Sequence, residues 1–357
     1  MKYNPSQEIQ GEPEKEHPVD TTRAIPSYTS PDAEYDAAIN RAALTDRSHF
    51  GRIEITGADR VDLLHRLSTN DLLRGRPGSV IGTVFTTEKG RVVDYVTLLL
   101  KSSSLLAITS PTNEQKFTAW IDKYCIMEDV RLTTVTASTS MFSFIGPESK
   151  SIIKLLFDLS LDSQSTIDIT NPLGPISIAY SKDFGTDIFD LIVSETSADL
   201  VWQELSRESE KHGIPRMGRA AYDAFRITRG IPALGAEISE SFNPYEVGLH
   251  RAISFTKGCY IGQEVIARLD TYERVQRELV GLIFHDPSLG IQAGATLSRD
   301  SKDIGLLTSV SETAIHKCHV GLGVVRKDSV VAGDKVQVGT SQETVEAMVA
   351  TPPFDIC

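Results

Sequence analysis

The densest run of reactive and permissive residues is Lys257-Gly258-Cys259-Tyr260-Ile261-Gly262-Gln263-Glu264, followed by Val265-Ile266-Ala267-Arg268. Two glycines four residues apart permit tight backbone geometry, and a thiol and an aromatic ring sit between them. Lys257, close to the thiol in sequence, favours the thiolate of Cys259, as would a nearby helix N-terminus; the thiolate is the nucleophile. Tyr260 offers an apolar face against which a flat heterocycle can pack. Arg268 can hold a carboxylate through two parallel N–H donors. The same run also fits a cysteine packed in a glycine turn, because unpaired cysteines commonly behave as small inert hydrophobes.

A second group of candidates is scattered along the chain. In Gly90-Arg91-Val92-Val93-Asp94-Tyr95, Asp94 can orient an amine or stabilise a developing cation, or it can simply make a strand-end turn hydrogen bond. Arg226 can take a carboxylate of a ligand or pair with Asp223 or Asp94. Glu246 is either an acceptor for a ligand's N–H groups or a structural acid near a turn. His49, with Asp46 and Ser48 beside it, is too close to them in sequence for a catalytic triad and reads as a packing or hydrogen-bonding histidine. Gly82 and Gly90 are turn or bulge glycines, since no phosphate-loop pattern accompanies them.

These residues carry a resemblance. Lys257 to Glu264 is similar to the K-G-C-[aromatic]-x-G-Q-E signature of YgfZ-type proteins in the YgfZ/glycine-cleavage T-protein (aminomethyltransferase) superfamily. The T-protein branch has an F-I-G-[RK]-E form there, without the cysteine. Asp46 to Gly57 resembles the D-x-S-H-x-G-x-[IL]-x-[IV]-x-G opening of both branches, and Thr69-Asn70-Asp71 their T-N-D. Arg219 to Arg226 resembles the G-x-x-A-R-D-x-L-R helix, and Asn243 to Leu249 the T-P-x-E-x-G-L segment. The resemblance runs from about residue 34 to the end.

It implies an α+β chain arranged as a three-domain cloverleaf around a central folate channel, with a C-terminal β-barrel. It also implies tetrahydrofolate, or a one-carbon derivative, as the ligand. Asp94, Tyr95, Arg226, Glu246, Lys257, Tyr260 and Arg268 are then expected around the cofactor, and Cys259 and Asp94 are expected to carry any chemistry. Two positions depart from the T-protein pattern. Tyr95 stands where G-G-x-x-D-D has its second acid, and Thr228 stands where R-[LI]-E-x-G has an acid that can pair with a pterin's donors; a hydroxyl cannot give the same two-point acceptance. With the gained cysteine, these departures favour a folate-binding accessory protein for iron–sulfur cluster assembly or repair, with iron–sulfur proteins or assembly factors as partners. A folate-dependent aminomethyltransferase is the alternative. One cysteine cannot hold a cluster alone, so any cluster contact is expected to be shared with a partner.

The elements that must position these residues are legible in part. Residues 1–33 are polar and proline-bearing and read as a tail. A helix is expected through Tyr35, Ala38, Ile39, Ala42 and Ala43, from their spacing. Arg52 to Thr56 alternates as a half-buried strand, Gly57 breaks it, and a helix follows with Asp59 in its first turn and Val61, Leu64 and Leu67 as its stripe. Residues 80–87 and 91–100 form two strands around Glu88-Lys89-Gly90; Leu105 to Thr109 is a third, and Lys116 to Tyr124 a helix. Phe142 to Leu156 repeats the strand, glycine, acid, apolar helix plan of Ile53 to Leu67, by duplication of a β-α unit or by chance. Phe189 to Val193 is a strand, Ser197 a cap for the helix after it, and His212-Gly213 its end. Residues 219–229 are another helix. Short apolar runs beyond 275 suggest the barrel. The expected division is a tail over 1–33, α/β folate-binding domains over 34–137 and 138–274, and the barrel over 275–357.

Composition sets the outer bounds. The chain has 357 residues, 40% hydrophobic and 24% charged, which suits two or three globular domains. Its formal net charge of −12 argues against non-specific nucleic-acid binding, which draws on clustered Lys and Arg. No apolar run is long enough for a membrane span, and Met1 to Gln10 lacks a signal-peptide core, so a cytoplasmic protein is expected. Cys125, Cys259, Cys318 and Cys357 form no C-x-x-C pair and match no common zinc spacing, so reduced thiols and no bound metal are expected.

Overall fold

The computed structural model describes residues 25–161, 163–271, 275–286, 290–339 and 344–356. The expected tail lies outside the described residues as far as residue 24, and so does Cys357.

The first elements correct the expected division. Helix α1 (Pro31–Asn40) opens on Pro31, whose fixed φ suits a first helical turn, and buries Tyr35 and Ala38. It does not reach Ala43. Arg41 leaves helical geometry at φ −137° and ψ −103°, and Ala43 begins strand β1 (Ala43–Asp46). That strand joins the later of the two sheets and not the sheet built by the strands that directly follow it.

The next segment builds the first sheet. Strand β2 (Phe50–Thr56) leads through Gly57 into α2 (Arg60–Leu67), then come β3 (Val80–Thr86), β4 (Val92–Leu100), β5 (Leu105–Pro111), α3 (Glu114–Asp122) and β6 (Arg131–Thr134). Strand order is β3-β4-β5-β2-β6. The second sheet repeats this plan with β7 (Thr139–Ile145), α4 (Ser149–Phe157), β8 (Ser165–Asn171), β9 (Gly174–Ser181), β10 (Ile188–Ser194) and α5 (Glu195–Lys211), in the order β8-β9-β10-β7-β1. The echo in the sequence is thus a repeat of topology. In both halves a glycine at positive φ ends the first strand, Gly57 at 105° and Gly146 at 124°. A side chain cannot replace either hydrogen, because a Cβ would lie 1.9 Å from the Asp129 carbonyl oxygen or 2.6 Å from that of Arg41. Ser194, not Ser197, caps α5 by accepting from the Thr196 amide.

Each sheet lays helices over one face. Leu63, Leu64, Phe117 and Trp120 close the first core with Ile53, Val96 and Ala107, and Ile153, Val201 and Leu205 close the second with Phe144, Ile178 and Leu191. The edge strands β3 and β8 meet, with the Thr166 amide donating to Gly78 O at 2.8 Å. Beyond α6 (Arg219–Thr228) and α7 (Gln263–Thr271), strands β11 (Arg277–Phe284), β12 (Thr296–Arg299), β13 (Lys302–Val310), β14 (His319–Arg326), β15 (Lys335–Gly339) and β16 (Thr344–Ala350) close into a barrel. Helices α1 and α6 fill the seam between the barrel and the second sheet, through Tyr35, Phe225, Ile283 and Leu322. The chain is therefore α+β with a closed C-terminal barrel, as expected.

The two halves are tied by one buried cation. Arg52 on β2 is fully buried. Its Nη1 donates to Ser48 O and Phe50 O at 3.0 and 2.7 Å, its Nη2 to Thr136 O and Thr139 O at 2.8 Å each, and its Nε to Thr139 Oγ1 at 2.7 Å. Burial lowers its pKa to about 10, so it stays charged at neutral pH. Residues 48–50 carry the chain from the second sheet to the first, and residues 136–139 carry it back. Arg52→Met leaves these carbonyls without donors and is expected to cost roughly 3–5 kcal/mol in urea denaturation. A cost below about 1 kcal/mol, the scale of an exposed contact, would show that the crossovers hold without it.

Candidate functional site

Two cavities adjoin between the sheets, α6 and the barrel. The first encloses about 540 Å³ and is walled by Phe50, Ile108, Ile188, Tyr222, Phe225 and Leu234, with Arg47, Ser110, Asp190 and Arg226 as polar groups. The second encloses about 880 Å³ and is more basic, carrying Arg74, Lys182, Arg229, His250 and Arg251 beside Asp71 and Glu278. Tyr95, Asp183 and Phe184 line both.

Asp94 lies on β4 immediately behind the wall of the first cavity, fully buried. Its carboxylate accepts from Ser110 Oγ at 2.6 Å, Asn113 Nδ2 at 2.7 Å and the Ser110 amide at 3.2 Å. Burial pushes its pKa up to about 6, against the lowering effect of those bonds from Ser110 and Asn113. Ser110 itself faces the cavity, so it stands between Asp94 and any occupant. Tyr95, the next residue on the strand, donates its hydroxyl to Asp183 Oδ2 at 2.6 Å. Burial and the Asp183 charge hold this phenol well above its usual range, so it remains a donor.

Arg226 reaches the first cavity from α6, with Nε on Asp223 at 2.7 Å and Nη1 on Ser309 Oγ at 3.2 Å. Of its proposed partners the structure chooses Asp223. Three residues not picked out as cofactor ligands complete the polar wall. Arg47 donates to Asp190 at 2.9 Å and lies 4.1 Å over the Phe50 ring. Burial opposes its charge, but Tyr222 and Asp190 more than offset this, so its pKa is raised. Asp190 also accepts from Ser143 Oγ. His49 stands on the same wall, its pKa lowered to about 4 by burial and by Arg47, so it is neutral. Arg47 was within reach of the sequence, since it sits inside the quoted Asp46-Arg47-Ser48-His49 motif. Nothing in the local pattern marked Asp183 or Asp190.

The other expected site residues stand elsewhere. Glu246 is buried but is taken by Arg277, which donates Nε and Nη2 to it at 2.8 and 2.9 Å; it is a structural acid and faces neither cavity. Lys257 is engaged with backbone oxygens. Its Nζ donates to the carbonyls of His65, Ser68 and Asn70, the last two at 2.7 and 2.8 Å, which caps the unsatisfied end of α2. Burial lowers its pKa to about 8. Tyr260 is buried with Ile253, Ile266 and Tyr245, under the Lys257 ammonium, and burial raises its phenol to about 12. Arg268 is exposed and pairs with Glu264 one turn back at 2.6 Å. Thr228 is buried against Tyr35 and away from both cavities. Arg91 bonds Ser241 O. Cys259 is exposed and lines neither cavity. The Lys257 to Gly262 run is thus a staple: the Ile261 amide bonds Arg66 O at 3.0 Å and Thr86 Oγ1 bonds Ile261 O at 2.9 Å.

Comparison with known proteins gives the same architecture. Residues 24–257 match the family described as the GCVT N-terminal domain, and residues 277–355 the glycine cleavage T-protein C-terminal barrel domain. A chloroplastic protein of Arabidopsis thaliana, provisionally named a transferase, is 33% identical over 341 residues, covering 92% of this chain and 75% of that one. The aminomethyltransferase of Halalkalibacterium halodurans is 28% identical over 338 residues, covering 93% and 92%. Among solved structures, the glycine cleavage system aminomethyltransferase T of Bartonella henselae overlays with a TM-score of 0.76 at 20% identity, over 91% of this chain and 90% of that one. No helix among the described residues is long and apolar enough to cross a membrane.

Two measurements check this geometry. Folding raises the Asp94 pKa from the usual 3.8 to about 6, so the folded state holds that proton more tightly. Its stabilising effect is complete at low pH and is lost as pH rises through about 6. The stability of wild type relative to Asp94→Asn is expected to fall by on the order of 3 kcal/mol between about pH 4 and 7. A flat difference would mean an ordinary carboxyl. In native protein, Cys259→Ser is expected to remove a thiol that aromatic disulfide reagents label quickly, because Cys259 is exposed whereas Cys318 is buried.

Proposed function

We propose, from the premise that this chain belongs to the glycine-cleavage T-protein family, that it is a folate-dependent transferase of aminomethyltransferase type which holds a reduced folate in the first cavity. The observation that carries this is the Asp94–Ser110 pair at the wall of that cavity.

The residues fit such a ligand. A cavity of about 540 Å³ falls in the range of small-molecule sites, and its walls combine apolar and aromatic faces for a flat heterocycle with a few polar groups to orient it. Arg226 lines the same cavity and has donors beyond the one it gives Asp223, which suits it to the first carboxylate of a glutamyl tail. When bound, the folate supplies the nitrogens that carry the one-carbon unit. The chain's own part is to exclude water and move a proton. Ser110 Oγ meets the ligand and is hydrogen-bonded to Asp94, so a proton reaching the hydroxyl has a carboxylate to receive it. A carboxyl near pH 6 is poised for that exchange at neutral pH. Arg47 and neutral His49 stand beside the ring and orient it.

An accessory role with iron–sulfur proteins draws support from the exposed Cys259 and from Tyr95 and Thr228, which stand where the T-protein pattern has acids. Lys257 is spent on carbonyls, and the relatives named above are transferases by name.

Calorimetric titration with tetrahydrofolate, alongside an aminomethyl-transfer assay with a lipoylated carrier, tests the proposal. Binding with turnover is expected, with Asp94→Asn lowering kcat by about 10²-fold or more while folate still binds. Binding without turnover in wild type would put the accessory role first. Absence of binding would remove folate from the account.

A further inference from the structure

The two cavities adjoin at Tyr95, Asp183 and Phe184, and every feature of that contact is specialised. Tyr95 comes from the first sheet and Asp183 from the turn after β9 in the second, so their 2.6 Å hydrogen bond spans the channel between the halves. The second carboxylate oxygen is taken as well, by Gln164 Nε2 at 3.3 Å. Phe184 packs edge-on to the Tyr95 ring, with centroids 5.6 Å apart. It adopts φ 57° and ψ 22°, left-handed backbone that a phenylalanine occupies only when its surroundings require it. Opposite, Gly82 has no room for a side chain: a Cβ would lie 2.2 Å from the Tyr95 hydroxyl and 2.9 Å from Asp183 Oδ2.

Beyond this contact the second cavity carries Arg251, together with Arg229, which is paired with Asp355 at 2.9 Å, and Lys182, 3.5 Å from Asp187. In an open channel, each added glutamate of a folate's γ-glutamyl chain would gain charge-assisted bonds on that wall.

We propose that Tyr95, Asp183 and Phe184 form a partition that confines a folate to the first cavity and makes the protein indifferent to the length of its glutamyl chain. The inference rests on the proposed function, which supplies the ligand. Tyr95, standing where the T-protein pattern has an acid, is on this account a specificity-determining residue.

The test is the ratio of dissociation constants for tetrahydrofolate with one and with five glutamates, measured by calorimetry on the full chain. Wild type is expected to bind the two within about twofold, and Phe184→Ala to favour the longer form by about tenfold once the chain can reach the basic wall. Gly82→Ala, which displaces the Tyr95 hydroxyl, is expected to move the ratio in the same direction. Tyr95→Phe loses one hydroxyl and carries the test if the others fail to fold, with a shift of about threefold expected. Because each variant is compared with itself, a general loss of affinity does not enter the ratio. A tenfold preference for the longer form in wild type would overturn the partition while leaving folate binding intact, as would unshifted ratios in the folded variants. Failure of wild type to bind either form would remove the proposed function and this inference together.

Discussion

A chain that begins in one sheet, crosses to another and returns must hold two crossovers together where they pass, and here a single guanidinium does so. Arg52 gathers carbonyls from both crossings, residues 48–50 and 136–139, and no part of it is left in water. A planar cation with five donors fits this role as no other side chain does, since a lysine offers a point charge and could not serve both sides in one plane. Because the crossovers are pinned, the sheets face each other at a set distance, and the channel between them has fixed walls. Asp46, Arg47, Ser48 and His49 lie on the outward crossing, so the clamp also sets where Arg47 and His49 meet the cavity.

The walls are consequently assembled from residues that no local pattern connects. Asp94 and Ser110 come from neighbouring strands of the first sheet, Asp183 and Asp190 from the second, and Arg226 from the helix that packs against the barrel. Charge is managed in pairs across these seams. Arg47 is neutralised by Asp190, Arg226 by Asp223 and Glu246 by Arg277. Asp94 answers its burial with neutral donors, Ser110 and Asn113, and burial still raises its pKa. Tyr95 adds a contact across the halves, since its hydroxyl donates to the Asp183 carboxylate of the second.

The run Lys257 to Arg268 shows how residue type and role separate. A lysine near a thiol in sequence suggests an activated nucleophile. In the fold, the strongest claim on its ammonium is the end of α2, whose last carbonyls have no helical donors. The motif holds the loop onto the first sheet, and Cys259 is left outward as a consequence. Arg268 was captured by Glu264, and that pairing was readable, since the two are four residues apart on a helix. The loss of Glu246 to Arg277 was not, because the partner enters from the barrel, 31 residues away.

Periodicity, glycine punctuation and turn spacing by themselves determined most of the strands and helices, the repeated strand–glycine–helix plan and the barrel, and the resemblance of the motifs to known signatures pointed to the family. Such signals are local and survive without knowledge of what packs on them. They misplaced the end of α1 and the cap of α5, where either of two serines, or helix or strand for the alanines, was locally acceptable. Only the tertiary structure decided that β1 belongs to the second sheet, that Asp94 stands behind Ser110, that Arg47 and Asp190 join the site, and that Tyr95 meets Asp183. Each of these depends on which hydrogen-bonding groups are brought together when water is excluded from the seam between two halves, and the order of residues along a chain does not specify that distance.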